Sequence, residues 1–291
     1  MRIEEVNTSS RQQAMEFLES CRPGMVAILG PLLAQPGRCI FLWADGEGGP
    51  VAAAVAVSNP GRTAMIFLCH VGLSQAGPAA VVGLLEELTR RAFQRGAQLV
   101  QAMLSPAGHP DAGLLEQAGY RRLAELIYLR RGLAVPWQAG QTSLEFRPYG
   151  GQDAALAEII RRTYEDSQDC PGLLGWRAME DVLASHKASG LFRPGCWWIP
   201  HLDGQPVGCV LVNDLTWPAG ACEVVYLGVC REFRRRGLAR QMLRHAMAQA
   251  RQRGRGEMLL AVDAGNSPAV GLYRQEGFRE DDRRVVYIKS P

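Results

Sequence analysis

An apolar run, Val224-Val225-Tyr226-Leu227-Gly228-Val229, leads into Arg234-Arg235-Arg236-Gly237-Leu238-Ala239, which opens an amphipathic stretch. This order restricts the fold more than any other segment, because it predicts a strand, a tight glycine turn and a helix start in succession. The first N–H groups of a helix have no partner within it and point outward, and the helix dipole favours an anion there. Gly237 and Ala239 carry little or no side chain, so a phosphate group can approach the backbone closely. The arginines add positive charge around the same point.

The segments that follow extend the pattern. Apolar residues at Leu238, Met242, Leu243, Ala246, Met247 and Ala250 repeat with helical spacing and predict a helix to about Arg253, with Gly254 near its end. Met258-Leu259-Leu260-Ala261-Val262 reads as a strand. Asn266-Ser267-Pro268 then predicts a second helix, with Ser267 as its cap and Pro268 in its first turn. That helix carries Tyr273 and stops at Gly277-Phe278.

R/Q-x-x-G-x-G/A after a strand, followed by N-x-x-A-x-x-L-Y-x-x-x-G-F, resembles the GNAT superfamily of N-acetyltransferases. Val270 and Gly271 shift the frame of the second motif slightly. The resemblance is close from Val224 to Phe278 and looser over the rest of the C-terminal half. It implies an α/β (α+β) fold, a mixed and mostly antiparallel central sheet flanked by helices. It also implies acetyl-CoA as the acyl donor and a primary amine of a small molecule or peptide as the acceptor. Two other readings stay open: a transferase of a different acyl group, and a non-catalytic acyl-CoA-binding or interaction module.

The first half repeats the second at an offset of about 158 residues. Asp45-Gly46 answers Asp203-Gly204, each a hairpin signal between apolar runs. Gln94-Arg95-Gly96 answers Gln252-Arg253-Gly254, and Leu114 through Tyr120 answers Leu272 through Phe278. Two copies of the fold in tandem follow, resembling the arrangement of mycothiol synthases, whose C-terminal copy catalyses. The expected division is a degenerate copy over 1–133, a linker over 134–143 and a catalytic copy over 144–291. The first copy has Ser74-Gln75-Ala76 in place of the arginines, Pro78 in place of Leu238 and Leu115 in place of Tyr273. Pro78 removes an N–H donor, and Leu115 has no proton to give.

Acyl transfer to an amine needs a held donor, a deprotonated amine, a stabilised oxyanion and a protonated leaving thiolate. The resemblance assigns donor binding to Leu227, Val229, Arg234, Arg235, Arg236, Gly237, Leu238, Ala239, Arg240 and Asn266. It also implies strands that splay beyond Val229 and Val262. Tyr273 is the candidate general acid, since a phenol of pKa about 10 stays protonated at neutral pH. Glu223 is the candidate base. Simple alternation puts Glu223, Val225, Leu227 and Val229 on one face, with Gly228 as the expected bulge. Glu165, Asp166 and Asp169, between the first two helices of this half, are candidates for holding a cationic amine. Trp197 and Trp198 fall on opposite faces of a strand, one for the core and one for the wall of a cleft.

Composition narrows the remaining classes. A net charge of +3 over 291 residues gives no electrostatic case for nucleic acid or a membrane surface. Eight scattered cysteines without a C-x-x-C pair, and five histidines without metal spacing, predict reduced thiols in the cytoplasm and no metal site.

Overall fold

The structure, a computed structural model, describes residues 2–46, 48–105, 109–134, 142–173 and 175–291. The chain forms two compact units, Met1–Leu123 with Val285–Pro291, and Ala124–Arg284.

The first unit begins with β1 (Arg2–Glu5), α1 (Arg11–Cys21), α2 (Met25–Leu33), β2 (Cys39–Gly46), β3 (Gly49–Asn59) and β4 (Thr63–His70). It continues through α3 (Leu73–Ala76), α4 (Pro78–Gln94), β5 (Leu99–Leu104), α5 (Ala112–Gln117) and the start of β6 (Arg121–Gly132). Its sheet runs β1-β2-β3-β4-β5, antiparallel except for the parallel β4–β5 pair. Both faces are covered. Along β3, Ala52, Ala54 and Ala56 pack in the cluster containing Val81, Leu84 and Leu88 of α4. Ala53, Val55 and Val57 pack in the one containing Leu18 and Leu29 of α1 and α2. This alternation follows from successive side chains pointing to opposite faces.

The second unit contains β7 (Glu145–Pro148), α6 (Asp153–Thr163), α7 (Met179–Ala188), β8 (Trp197–Leu202), β9 (Gln205–Pro206), β10 (Gly208–Asp214) and β11 (Ala221–Val229). α8 (Leu238–Gln252), β12 (Glu257–Asp263), α9 (Ser267–Gln275) and β13 (Arg279–Lys289) follow. Its sheet order is β6-β12-β11-β10-β8-β7. The six apolar positions expected on α8 are all buried, at 0–4% exposure. They meet Val210, Val212, Cys222 and Val224 of the sheet. α6 and α7 cover the opposite face, over Cys209 and Leu211. Trp197 and Trp198 do lie on opposite faces, but both are buried, at 0% and 6%, so neither walls a cleft.

One of the two hairpin expectations shifts. Asp203 and Gly204 take φ of 50° and 78°, the left-handed pair that a two-residue hairpin needs. In the first unit, Gly46 instead pairs with Gly49 inside the ladder, so the turn falls one residue after Asp45-Gly46. Its residue Glu47 lies outside the described residues, as do 135–141 of the expected linker.

The end of each repeat goes to the other unit. Leu126–Gly132 of β6 pairs antiparallel with Asp263–Glu257 of β12. Val285–Lys289 of β13 pairs with Leu104–Val100 of β5. The repeat halves and the packed units therefore divide the chain differently. The exchanged strands also bring matching cations. Lys289 Nζ donates to Ala118 O (2.6 Å) at the C-terminal end of α5. The Arg131 guanidinium sits against Gly277, where an added Cβ would meet Nη1 at 3.3 Å, just past α9. Positive charge at a helix C-terminus is favourable.

Because Ile288 is fully buried and pairs with Gln101, Ile288→Ala should destabilise the first unit despite its place near the chain's end. The expected cost is about 2–5 kcal/mol. Urea unfolding should show it, with faster amide exchange over Leu99–Leu104. Unchanged exchange there would overturn the pairing.

Candidate active site

β11 and β12 run parallel but pair only through Ala221↔Glu257, Cys222↔Met258 and Glu223↔Leu259. Beyond these three pairs they part. A cavity of about 690 Å³ lies along the parted segment, lined by Val224–Val229 on one strand and by Ala261 and Val262 on the other. Parting leaves main-chain groups without a sheet partner, and the ladder on the far side of β11 shows which ones. Cys230 N–H donates to Val207 O (2.9 Å). Hydrogen-bonded and non-hydrogen-bonded pairs alternate in an antiparallel ladder, so the N–H groups of Leu227 and Val229 turn away from β10 and toward the opening.

The β11 face assignment differs from simple alternation. Leu211 pairs with Tyr226 and Val212 with Val224, which makes Val225 the bulged residue instead of Gly228. Val225 and Tyr226 then both pack on the α6/α7 side, while Leu227 and Val229 pack on the α8 side. Glu223 belongs to the α6/α7 side, where its Oε2 accepts the Ser189 hydroxyl (3.0 Å) at the end of α7. It does not share a face with Leu227 and Val229, and it is not among the residues lining the cavity. Burial raises its carboxyl pKa, against the lowering effect of the Ser189 hydrogen bond.

Gly228 has a different reason to be glycine. An added Cβ would come within 2.7 Å of the Thr163 side chain and 2.8 Å of the Tyr226 hydroxyl. Thr163 Oγ1 donates to Ile160 O (2.6 Å) and so accepts from Tyr226 OH (2.6 Å). The end of α6 is thereby locked onto β11 beside the cavity.

The glycine turn forms as its sequence predicts. Gly237 takes φ of 73° as the residue before α8, no side chain caps the helix, and the first backbone bond runs from Gln241 N to Gly237 O (3.3 Å). The N–H groups of the first turn are thus available at the cavity, which Gly237, Leu238, Ala239 and Arg240 line.

The three arginines separate in role. Arg234 donates to three carbonyls, Val229 O (3.1 Å), Asp166 O (3.1 Å) and Thr163 O (2.9 Å), and so ties β11 to the loop after α6. Arg235 lines the cavity and makes no protein hydrogen bond among the described residues. Arg236 is outside the lining, its guanidinium 5.6 Å from the centre of the Phe233 ring. Arg240 lines the cavity while pairing with Glu276 (3.1 Å).

On α9, Tyr273 is 7% exposed and lines the cavity. Burial, then the charge of Asp169, raises its phenol pKa. Asn266 also lines the cavity and is itself the helix cap, its Oδ1 accepting Ala269 N–H (3.3 Å). Ser267, expected as the cap, is instead the first helical residue. Of the three acidic candidates, Asp166 and Asp169 line the cavity and Glu165 does not. Asp166 is paired with Arg231 (2.9 Å). Burial raises the Asp169 carboxyl pKa; the hydrogen bond from the Asp263 N–H opposes this and the Asp263 charge adds to it.

Asp263 and Glu276 were missed in the sequence. Each lies just beyond a motif residue, with no pattern to mark its partners. Glu276 is almost fully buried and receives both Arg244 (2.8 and 2.9 Å) and Arg240, joining α8 to the end of α9. Glu276→Gln removes the charge but keeps the volume. Because the arginines retain some water, the expected loss is about 1–3 kcal/mol, below the full penalty of a broken buried pair. Chemical denaturation should report it, and a loss under about 0.5 kcal/mol would mark the cluster as ordinary surface pairing.

Residues 155–278 match the acetyltransferase (GNAT) family. A mycothiol acetyltransferase from Clavibacter michiganensis subsp. michiganensis is 29% identical over 282 residues, spanning 88% of this chain and 82% of its own. Among solved structures, a GCN5-related N-acetyltransferase from Sphaerobacter thermophilus aligns over 99% of this chain and 95% of its own, with TM-score 0.65 and 19% identity. A tandem GNAT protein from the clavulanic acid biosynthesis pathway aligns over 99% and 98%, with TM-score 0.51 and 16% identity. The family match lies in the second half, while a relative and a tandem fold run through both, so residues 155–278 form a GNAT-family acetyltransferase domain and the whole chain is similar to two-domain members of that superfamily.

Proposed function

We propose that the chain is a cytoplasmic acetyl-CoA-dependent N-acetyltransferase, acting on a primary amine of a small molecule or peptide, with catalysis in the C-terminal copy. The observation that carries this reading is the cavity between parted β11 and β12, with the uncapped Gly237 turn and Tyr273 both in its lining. The turn suits the pyrophosphate of the donor. The N–H groups of Leu227 and Val229 suit the pantetheine arm and the thioester oxygen. Arg235, Arg240 and Asn266 support donor binding from the rim. Arg234 supports it indirectly by bracing the strand end.

Tyr273 is the proposed acid for the departing thiolate. Its raised pKa keeps the proton in place until a thiolate forms. Glu223 is the proposed base, acting on the α6/α7 side, and Asp166 and Asp169 attract the ammonium form of the acceptor. In the N-terminal copy, Leu115 is 1% exposed where Tyr273 would stand, which supports a degenerate role there. Among the described residues no helix is long and apolar enough to cross a membrane.

Gly237→Glu should abolish acetyl-CoA binding in calorimetry by placing a carboxylate against the pyrophosphate. Unchanged binding would remove the donor assignment. Two equal sites per chain would restore the N-terminal copy as a binder.

Transfer is tested by CoA release with amino sugars, amino-acid amides, polyamines and, given the relatives' name, the deacetylated amine of mycothiol. Tyr273→Phe should bind acetyl-CoA normally and lose roughly ten- to thousand-fold in turnover, as for loss of a general acid. Native turnover in that variant would leave Tyr273 a packing residue.

The pH profile tests the base. A base works deprotonated, so kcat at saturating amine should fall as pH drops through the raised Glu223 pKa, and Glu223→Gln should erase that acid limb of kcat. An unmoved limb would shift the base to another carboxylate.

A further inference from the structure

Asp169, in the cavity lining, and Asp263, at the end of β12 outside it, tie their two segments together through main-chain N–H groups. Asp169 Oδ1 accepts the N–H of Asp263 (3.3 Å), and Asp263 Oδ2 accepts the N–H of Cys170 (3.0 Å). Asp263 Oδ1 also takes the N–H of Gly265 (2.9 Å). Asp263 ends β12 and is 8% exposed, so both oxygens of a buried carboxylate are used on main-chain donors. Hydrogen bonds from N–H groups to an ionised carboxylate are short-range and strong, and they fix the segments that carry them.

The segment held here does not adopt its shape freely. Asp166 and Cys170 take φ of 50° and 45°, values that residues with a Cβ keep only where their surroundings enforce them. Arg234 holds the Asp166 end through its carbonyl, and Asp263 holds the Cys170 end. Between these two anchors lie Ser167, Gln168 and Asp169, all in the cavity lining. The second oxygen of Asp169 makes no protein hydrogen bond among the described residues.

We propose that Asp263 is a positioning residue for acyl transfer: through Cys170 it seats the Asp166–Cys170 turn over the parted strands and presents Asp169 to the acceptor's ammonium group. The proposal rests on the reading of this cavity as the transfer site. Asp263 contacts neither donor nor acceptor in this scheme. It acts through the loop, and the loop sets the distance between an anion and the amine it receives.

The charge of Asp263 has a second effect. The groups facing Asp169 are the Asp263 carboxylate on β12, the Tyr273 phenol on α9, the Tyr226 phenol on β11, and Tyr164 and the Cys170 thiol on its own segment. None is a cation. Burial raises the Asp169 carboxyl pKa, the hydrogen bond from the Asp263 N–H opposes it, and the Asp263 charge adds to the rise. Asp169 must be ionised to attract an ammonium ion, so acceptor capture weakens as pH falls through that raised value.

The test uses the full chain with Asp263→Ala and Asp263→Asn. In Asp263→Ala the Cys170 amide should exchange at least about tenfold faster with deuterium, having lost a charge-assisted acceptor. The KM should rise about tenfold for whichever amino sugar, amino-acid amide or polyamine turns over fastest, with acetyl-CoA affinity within about twofold. In Asp263→Asn the amide oxygen can still accept the Cys170 N–H, so protection and KM should largely return. The missing charge should move the acid limb of kcat/KM to lower pH, which a purely structural role would not do.

Equal Cys170 exchange in the native and Ala chains would overturn the clamp. So would a loss of donor affinity as large as the rise in amine KM. If Asp263→Ala fails to fold, the direction of the Asp263→Asn acid limb decides, and a limb that stays in place overturns the proposal. If none of these amines is acetylated by the native chain, the transfer reading fails separately, and exchange at Cys170 still judges the clamp.

Discussion

Everything at the candidate site depends on two neighbouring strands ceasing to pair. β11 and β12 share three residue pairs and then separate. A parallel pair that continued would satisfy its own N–H and C=O groups and leave no room for a ligand. Separation exposes the main chain of Leu227 and Val229 and creates the cavity. Unpaired backbone inside a protein is costly unless something else bonds to it. Water or an extended polar ligand arm can do so, and an amide-rich arm running between strands would replace the missing ladder bonds.

The surrounding elements hold that opening in shape. Arg234 bonds the carbonyl at the end of β11, the Thr163 carbonyl that ends α6 and the Asp166 carbonyl beyond it. Thr163 and Tyr226 lock α6 against the glycine at 228. Glu276 ties α8, whose uncapped first turn faces the cavity, to α9, which supplies Tyr273. Asp263 fastens the loop on the far side. Each brace joins segments distant in sequence. The site is therefore rigid at its edges while its centre stays empty of side chains.

The exchange of terminal strands gives the N-terminal copy a structural part in both units, whatever it binds. Residues 126–132, encoded in the first repeat, form the strand that flanks β12 in the second unit, and Arg131 from that strand lies against the end of α9. A chain reduced to its second repeat would lose this neighbour of β12. In the first unit, Val285–Lys289 plays the matching part for β5, and Lys289 for α5. The first copy has Leu115 where the second has Tyr273, and that difference does not free either half from supplying its strand.

What the sequence determined is the set of local elements and the turn. The α8 stripe, the strand into Val229, the Gly237 turn, the Tyr273 helix and the repeat were legible because each rests on periodicity or on a residue with a special conformation. Nine of the ten residues assigned to donor binding line the cavity, Arg236 being the exception. What only the tertiary structure decided is which side each functional group faces and what holds it. A single bulge at Val225 moved Glu223 off the face of Leu227 and Val229, and such a bulge is set by the register of β10 against β11. The same limit hid Arg234's bracing role, the Asp169–Asp263 grip and the strand exchange. Each is a contact between residues far apart in the chain, and local pattern carries no information about which distant backbone a side chain will meet.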